Sequence, residues 1–218
     1  MRFLSIALAA TTLALGACSP PLTSDHPLFA VADQTGPAPL AEGVWVALSA
    51  RCTREAALSA TPPEDCEQMT LRRADEGAWV ISGKDKDENG VERTEELRLV
   101  IAPAVHTADA DAYAPLYIVQ LSAHDADPHS GAPADARIYM AFAPIGAMPA
   151  RELYFIDVNC DAILREGPID GVSTERDAQG NLSACRAANQ TAVREAAQRA
   201  TIEELSNIDQ TRLLFVHP

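Results

Sequence analysis

The chain has 218 residues, 47% hydrophobic and 22% charged, with 31 acidic against 17 basic side chains and a formal net charge of −14. That length suits one domain of ordinary size, and the apolar share is enough to build a core. The acidic balance argues against nucleic acid and against anionic membrane surfaces as partners, because both repel a negative protein.

Met1-Arg2 carries one positive charge, and an apolar run follows from Phe3 to Leu15, interrupted by small residues such as Ser5, Thr11 and Thr12. A charged start followed by a short apolar run is the order of an export signal. The run is too short for a comfortable membrane span, which needs about 20 apolar residues. It closes with Leu15-Gly16-Ala17-Cys18: an aliphatic residue, two small ones, then cysteine. This stretch resembles the lipobox of bacterial lipoproteins. The resemblance implies cleavage of residues 1–17, lipid on the Cys18 thiol, palmitate among the acyl chains, and a membrane partner reached through that anchor. Several acyl chains hold firmly where one would not, at about 0.8 kcal/mol per buried methylene. Ser19 stands where the family's inner-membrane retention signal has Asp. The expected address is therefore the inner leaflet of the outer membrane, facing the periplasm.

Removing the leader leaves 201 residues. Residues 18–39 are rich in Pro, Ser, Thr and Ala, as in Ser19-Pro20-Pro21 and Gly36-Pro37-Ala38-Pro39. They are expected to form a lipidated N-terminus and flexible tether, with a single domain over 40–218. With Cys18 committed to lipid, Cys52, Cys66, Cys160 and Cys185 remain. An even number in an oxidising compartment reads as two disulfides. Of the three pairings, Cys52–Cys66 with Cys160–Cys185 is favoured, because each closes a short loop rich in turn residues and stabilises by roughly 3 kcal/mol. No Cys-x-x-Cys occurs, and the spacings match no zinc pattern.

From Leu40 onward the signals are strands. The candidates are 44–48, 68–72, 78–82, 95–101, 116–122, 137–143 and 152–159, with apolar–polar alternation clearest in Glu96-Leu97-Arg98-Leu99. β-branched and aromatic residues gather in these runs. Residues 78–103 and 116–144 each read strand, long polar loop, strand, Ala-Pro, as two successive hairpins. The tail differs. Val193, Ala196, Ala197 and Ala200 recur at helical spacing over 189–199. Thr201 with Glu204 has the form of a capping box, so a second short helix is expected to start there. Residues 213–216 read as a last strand. The expected fold is mainly β (α+β): an antiparallel sheet, sandwich or barrel-like, with one or two C-terminal helices.

Three local patterns bear on chemistry. Asp85, Asp87 and Asn89, with Gly90 and Glu96, place oxygens at the first, third, fifth and twelfth positions around a glycine at the sixth. That spacing wraps ligands around calcium and resembles an EF-hand loop. Glu92 and Arg93 depart from the family pattern, and the flanks read as strands, so a plain acidic hairpin loop fits as well. His124, Asp125, Asp127 and His129 gather imidazole and carboxylate, which suit zinc, nickel or copper, in a segment whose composition is also that of a polar loop. Gly43-Val44-Trp45 resembles the Gly-x-Trp of lipocalin-like barrels, in which the tryptophan closes the barrel's base and the interior takes an apolar ligand.

No Gly-x-Ser-x-Gly, Ser-x-x-Lys or His-Glu-x-x-His occurs, and no catalytic residue is assigned. No cofactor is expected, with calcium at Asp85–Glu96 as the alternative. The first functional expectation is a non-catalytic interaction or structural module that meets another envelope protein. The second is a lipocalin-like binding protein for a small apolar or lipid ligand. The third is a calcium-binding envelope protein. A closed apolar pocket near Trp45 favours the second, and a flat exposed apolar patch favours the first.

Overall fold

Alternation along single strands sets the architecture. Leu97, Leu99 and Ile101 are buried while Glu96 and Arg98 between them are exposed, so the period of two sorts apolar and charged side chains onto opposite faces. The computed structural model describes residues 19–36, 38–86, 92–104, 116–123, 133–204 and 212–218. Its strands are β1 (Leu22–Ser24), β2 (Gly43–Leu48), β3 (Gln68–Arg73), β4 (Trp79–Lys86), β5 (Glu92–Pro103), β6 (Tyr117–Ser122), β7 (Arg137–Pro144), β8 (Glu152–Asp157), β9 (Val172–Arg176), β10 (Leu182–Ala187) and β11 (Arg212–His217). Its helices are α1 (Arg54–Ala57), α2 (Cys160–Leu164) and α3 (Gln190–Glu204).

β2 to β8 form an antiparallel meander, and β11 returns between β8 and β2. With every neighbouring pair bonded, the eight strands close into a barrel. Closure removes the free edges that an open sheet would expose. The chain between β8 and β11 holds α2, the β9–β10 hairpin and α3. β10 pairs with β1, and β1 lies along β7.

Two further apolar clusters lie outside the barrel. Tyr139, Ala141 and Ile156 point outward and meet Val193, Ala196, Ala197 and Ala200 of α3. A helix face made mostly of alanine lets its backbone lie close to the wall. Val46 and Leu214, also outward, are covered by Ala57, Cys52 and Cys66 of the β2–β3 connection. The disulfides are Cys52–Cys66 and Cys160–Cys185, the pairing expected from loop length. Thr53, Asn159 and Asn189 cap the three helices, each side chain accepting from a backbone N–H three residues on.

Two expectations are corrected. The segment read as a tether is packed on the barrel from its first described residues. Leu22 is fully buried and Phe29 nearly so. The Gln120 side chain accepts from the N–H groups of Leu28 and Phe29 at 2.8 and 2.9 Å and donates to the Phe29 carbonyl at 2.8 Å. Ser24 shares a hydrogen bond of 2.7 Å with the Tyr139 hydroxyl. These partners lie about 90 to 115 residues downstream, so the composition of the segment gives no sign of them. The second correction concerns Thr201. Its hydroxyl donates back to the Ala197 carbonyl at 2.7 Å, as a residue inside a helix does, and α3 runs unbroken through it.

Candidate ligand-binding cavity

The inward rows of the eight strands form one apolar wall. β2 contributes Trp45 and Ala47, β3 Met69 and Leu71, β7 Met140 and Phe142, and β8 Leu153 and Phe155, always two positions apart. β4, β5, β6 and β11 complete the circle. The wall surrounds a cavity of about 80 Å³ in which Glu67 is, among the described residues, the one charged lining residue. That space exceeds what one water needs, about 10–15 Å³ by a comparable measure, and its lining gives water few partners. An unfilled apolar void of this size costs on the order of 2 kcal/mol of stability.

One end of the barrel is closed. Trp45 is 1% exposed, stands edge-on to Phe215 at 5.8 Å and donates its indole N–H to the Ala41 carbonyl at 3.0 Å. The Arg151 guanidinium lies 5.0 Å over the Phe215 ring, and that of Arg73 lies 4.6 Å over Trp79. Gly43 has φ +140°, and a Cβ there would fall 2.5 Å from the His217 carbonyl oxygen and 2.7 Å from the Pro218 Cα. The Gly-x-Trp pattern thus has a physical reading here: the glycine lets the end of β11 cross close by, and the tryptophan plugs the base.

Toward the other end the wall opens. Ala47, Met140, Phe155 and Leu213 are half-buried, whereas Trp45, Leu71, Phe142 and Leu153 nearer the base are buried. Carboxylates occupy the inward row at this mouth. Glu67 lines the cavity beside Ala47, Glu95 faces Gly83 across the β4–β5 ladder, and Asp157 faces Met140 across β7–β8. Burial pushes the Asp157 carboxyl up from its ordinary value. The outward rows differ, because Glu96 pairs with Arg72 and Glu152 with both Arg54 and Arg212, while outward Arg98 pairs with Glu76 of the β3–β4 turn.

The proposed calcium residues are placed as follows. Asp85 pairs with Arg93 at the outer end of the β4–β5 hairpin. Glu96 pairs with Ser82, three ladder positions further toward the base, and its carboxylate binds Arg72 at 3.0 Å. Asp87 and Asn89 lie outside the described residues, as do Cys18, His106, His124, Asp125, Asp127 and His129. Among the described residues no three His, Cys, Asp or Glu side chains gather to hold a metal. The disulfide cysteines lie outside the barrel interior. Sequence reasoning missed Asp157, although the row Leu153, Phe155, Asp157 does signal an acid in inward phase. It also missed Glu67 and Glu95, which only strand closure brings to the same mouth. No protein-family model, curated protein or solved structure matches this chain.

Proposed function

We propose that this protein is a lipid-anchored envelope lipoprotein whose barrel binds a small apolar or amphiphilic ligand, with no covalent chemistry of its own. The observation that carries the reading is the apolar cavity that all eight strands enclose above the Trp45 base. Small-molecule sites are concave, mostly apolar and few per protein, with a handful of polar groups that orient the ligand. A cavity of about 80 Å³ suits a slender group such as the end of an acyl chain. The two methionines in its wall, Met69 and Met140, are unbranched and adapt to a guest more readily than branched side chains do. The interaction-module reading would draw on an exposed apolar patch. Among the described residues Leu58 is the one large hydrophobic side chain left exposed, which supports the interior as the binding surface.

The anchor rests on the leader and on Leu15-Gly16-Ala17-Cys18. The reading places Cys18 at the inner leaflet of the outer membrane, with the barrel in the periplasm, where disulfides form. Among the described residues no helix is long and apolar enough to cross a membrane.

Two experiments test the proposal. Dodecanol titrated below its solubility limit is expected to change the emission of Trp45 and Trp79, the chain's two tryptophans, both of which lie in the barrel cluster. Unchanged emission together with an empty protein by native mass spectrometry would refute the binding role. For the anchor, Cys18→Ser is expected to release the protein from envelope membranes. Retention with unchanged maturation would remove the lipid from the account.

A further inference from the structure

Inward carboxylates stand around the mouth of the cavity, and no cation among the described residues pairs with them. Glu67 enters β3, Glu95 lies in β5 and Asp157 ends β8. Around the eight-strand circumference they stand two, three and three strands apart, so they surround the opening rather than cluster on one side. Among the described residues no hydrogen bond or ion pair engages any of the three carboxylates. Arg73 and Arg151 lie at the base, where they cover Trp79 and Phe215, while Arg137 and Arg212, which begin β7 and β11 at the mouth end, belong to the outward rows, Arg212 on Glu152 and Arg137 on the Ala134 and Ala136 carbonyls. An apolar chamber with an acidic, unpaired rim is complementary to one kind of guest.

On the reading that the cavity is a binding site, we infer that it selects amphiphiles with a cationic head: an alkyl tail among the wall residues and an ammonium group held between Glu67, Glu95 and Asp157. A head of opposite charge gains most from Glu95 and Asp157, which are half-buried and so attract through a medium that screens less than bulk solvent, and less from Glu67, which is exposed. An anionic head on the same tail meets three repulsions, so the rim rejects fatty-acid anions as it accepts amines. Asp157 carries most of this discrimination, because it is the least hydrated of the three and has no cation of its own to satisfy it.

The test compares three ligands with one tail. Dodecylammonium, dodecanoate and dodecanol are titrated at equal salt, below their aggregation limits, into the chain secreted with Cys18→Ser to keep it free of lipid. Tryptophan emission reports occupancy. Dodecylammonium is expected to bind at least tenfold more tightly than dodecanoate, with dodecanol between them. Asp157→Asn combined with Glu95→Gln should collapse that ratio toward one by weakening dodecylammonium and admitting dodecanoate. Asp170→Asn, which removes one exposed charge from the α2–β9 connection, should leave the ratio intact and so separates rim recognition from the general attraction of an acidic protein for cations. Dodecanoate binding as tightly as dodecylammonium overturns the inference, as does a preference that survives the double substitution. In either of those cases the cavity remains a ligand site. If none of the three binds, the cavity reading itself falls, and head selectivity falls with it.

Discussion

Gly43 shows how a single residue shapes the base of the barrel. Its φ of +140° is one that L side chains rarely adopt, and the space a Cβ would need is taken by the backbone of His217 and Pro218 and by the Phe215 ring. Gly43→Ala is expected to cost about 1–3 kcal/mol, read from denaturant midpoints, and to shift the emission of Trp45, whose ring packs on Phe215. Wild-type stability would show that β11 yields at no cost. Two carboxylates give opposite pH behaviour. Burial raises the Glu152 carboxyl, but hydrogen bonds and charge from Arg54 and Arg212 outweigh it and hold the group below its ordinary value. Its contribution is therefore full above the ordinary carboxylate range and fades as pH falls through that range to the folded value. Asp157 is raised by burial, so the fold favours its protonated form, and stability drains away as pH rises past the ordinary range toward the folded value. Melting curves across pH should show Glu152→Gln destabilising at neutral pH by about 1–2 kcal/mol and converging on the parent in acid. Asp157→Asn should stabilise at neutral pH and converge in acid. Parallel curves at every pH would contradict both assignments.

The elements that were legible and those that were not differ in where their stability comes from. Seven of the barrel strands announce themselves as short apolar, β-branched and aromatic runs, several of them alternating, as in Leu97, Leu99 and Ile101 against Glu96 and Arg98. β11 is legible as a continuous apolar run from Leu213 to Val216. β9 has no buried residue and β10 has two, so neither carries the apolar signal of a strand. β1 is three residues long, and the bonds that hold the segment after it come from Gln120 and Tyr139 of distant strands. The Cys160–Cys185 disulfide joins the start of α2 to β10, and so ties this weakly patterned insertion to the wall. It closes 25 residues, worth about 3–4 kcal/mol in the loop-entropy account. Replacing both cysteines by Ala should lower stability by that order. Amide exchange should rise first in β9 and β10, while β3 to β5 keep their protection. A uniform rise through the whole sheet would mean that the insertion and the barrel unfold as one unit.

At the scale of the molecule, the candidate site is a property of closure. Apart from Glu67, the described wall residues are visible in the sequence as apolar positions, yet nothing local states that β6 meets β7 and that β11 returns to β2. An open sheet with the same rows would be covered by a second layer and hold no chamber. Gly43-Val44-Trp45 is the one local sign of the closed form, and its specificity comes from the crossing of β11, not from the three residues alone. A chamber left unfilled weakens the fold, so filling it should separate stability from binding. Ala47 lies in the wall near the mouth, where a larger side chain has the cavity to grow into. Ala47→Leu is expected to raise unfolding free energy by up to about 2 kcal/mol, the estimated cost of the void, and to weaken dodecanol binding at least tenfold by occupying its place. A variant that gains stability and still binds dodecanol like the parent would show that the tail lodges elsewhere on the barrel. One that loses stability would show that the wall is already packed as tightly as its strands allow, and that the space above Trp45 does not admit even an added isopropyl group.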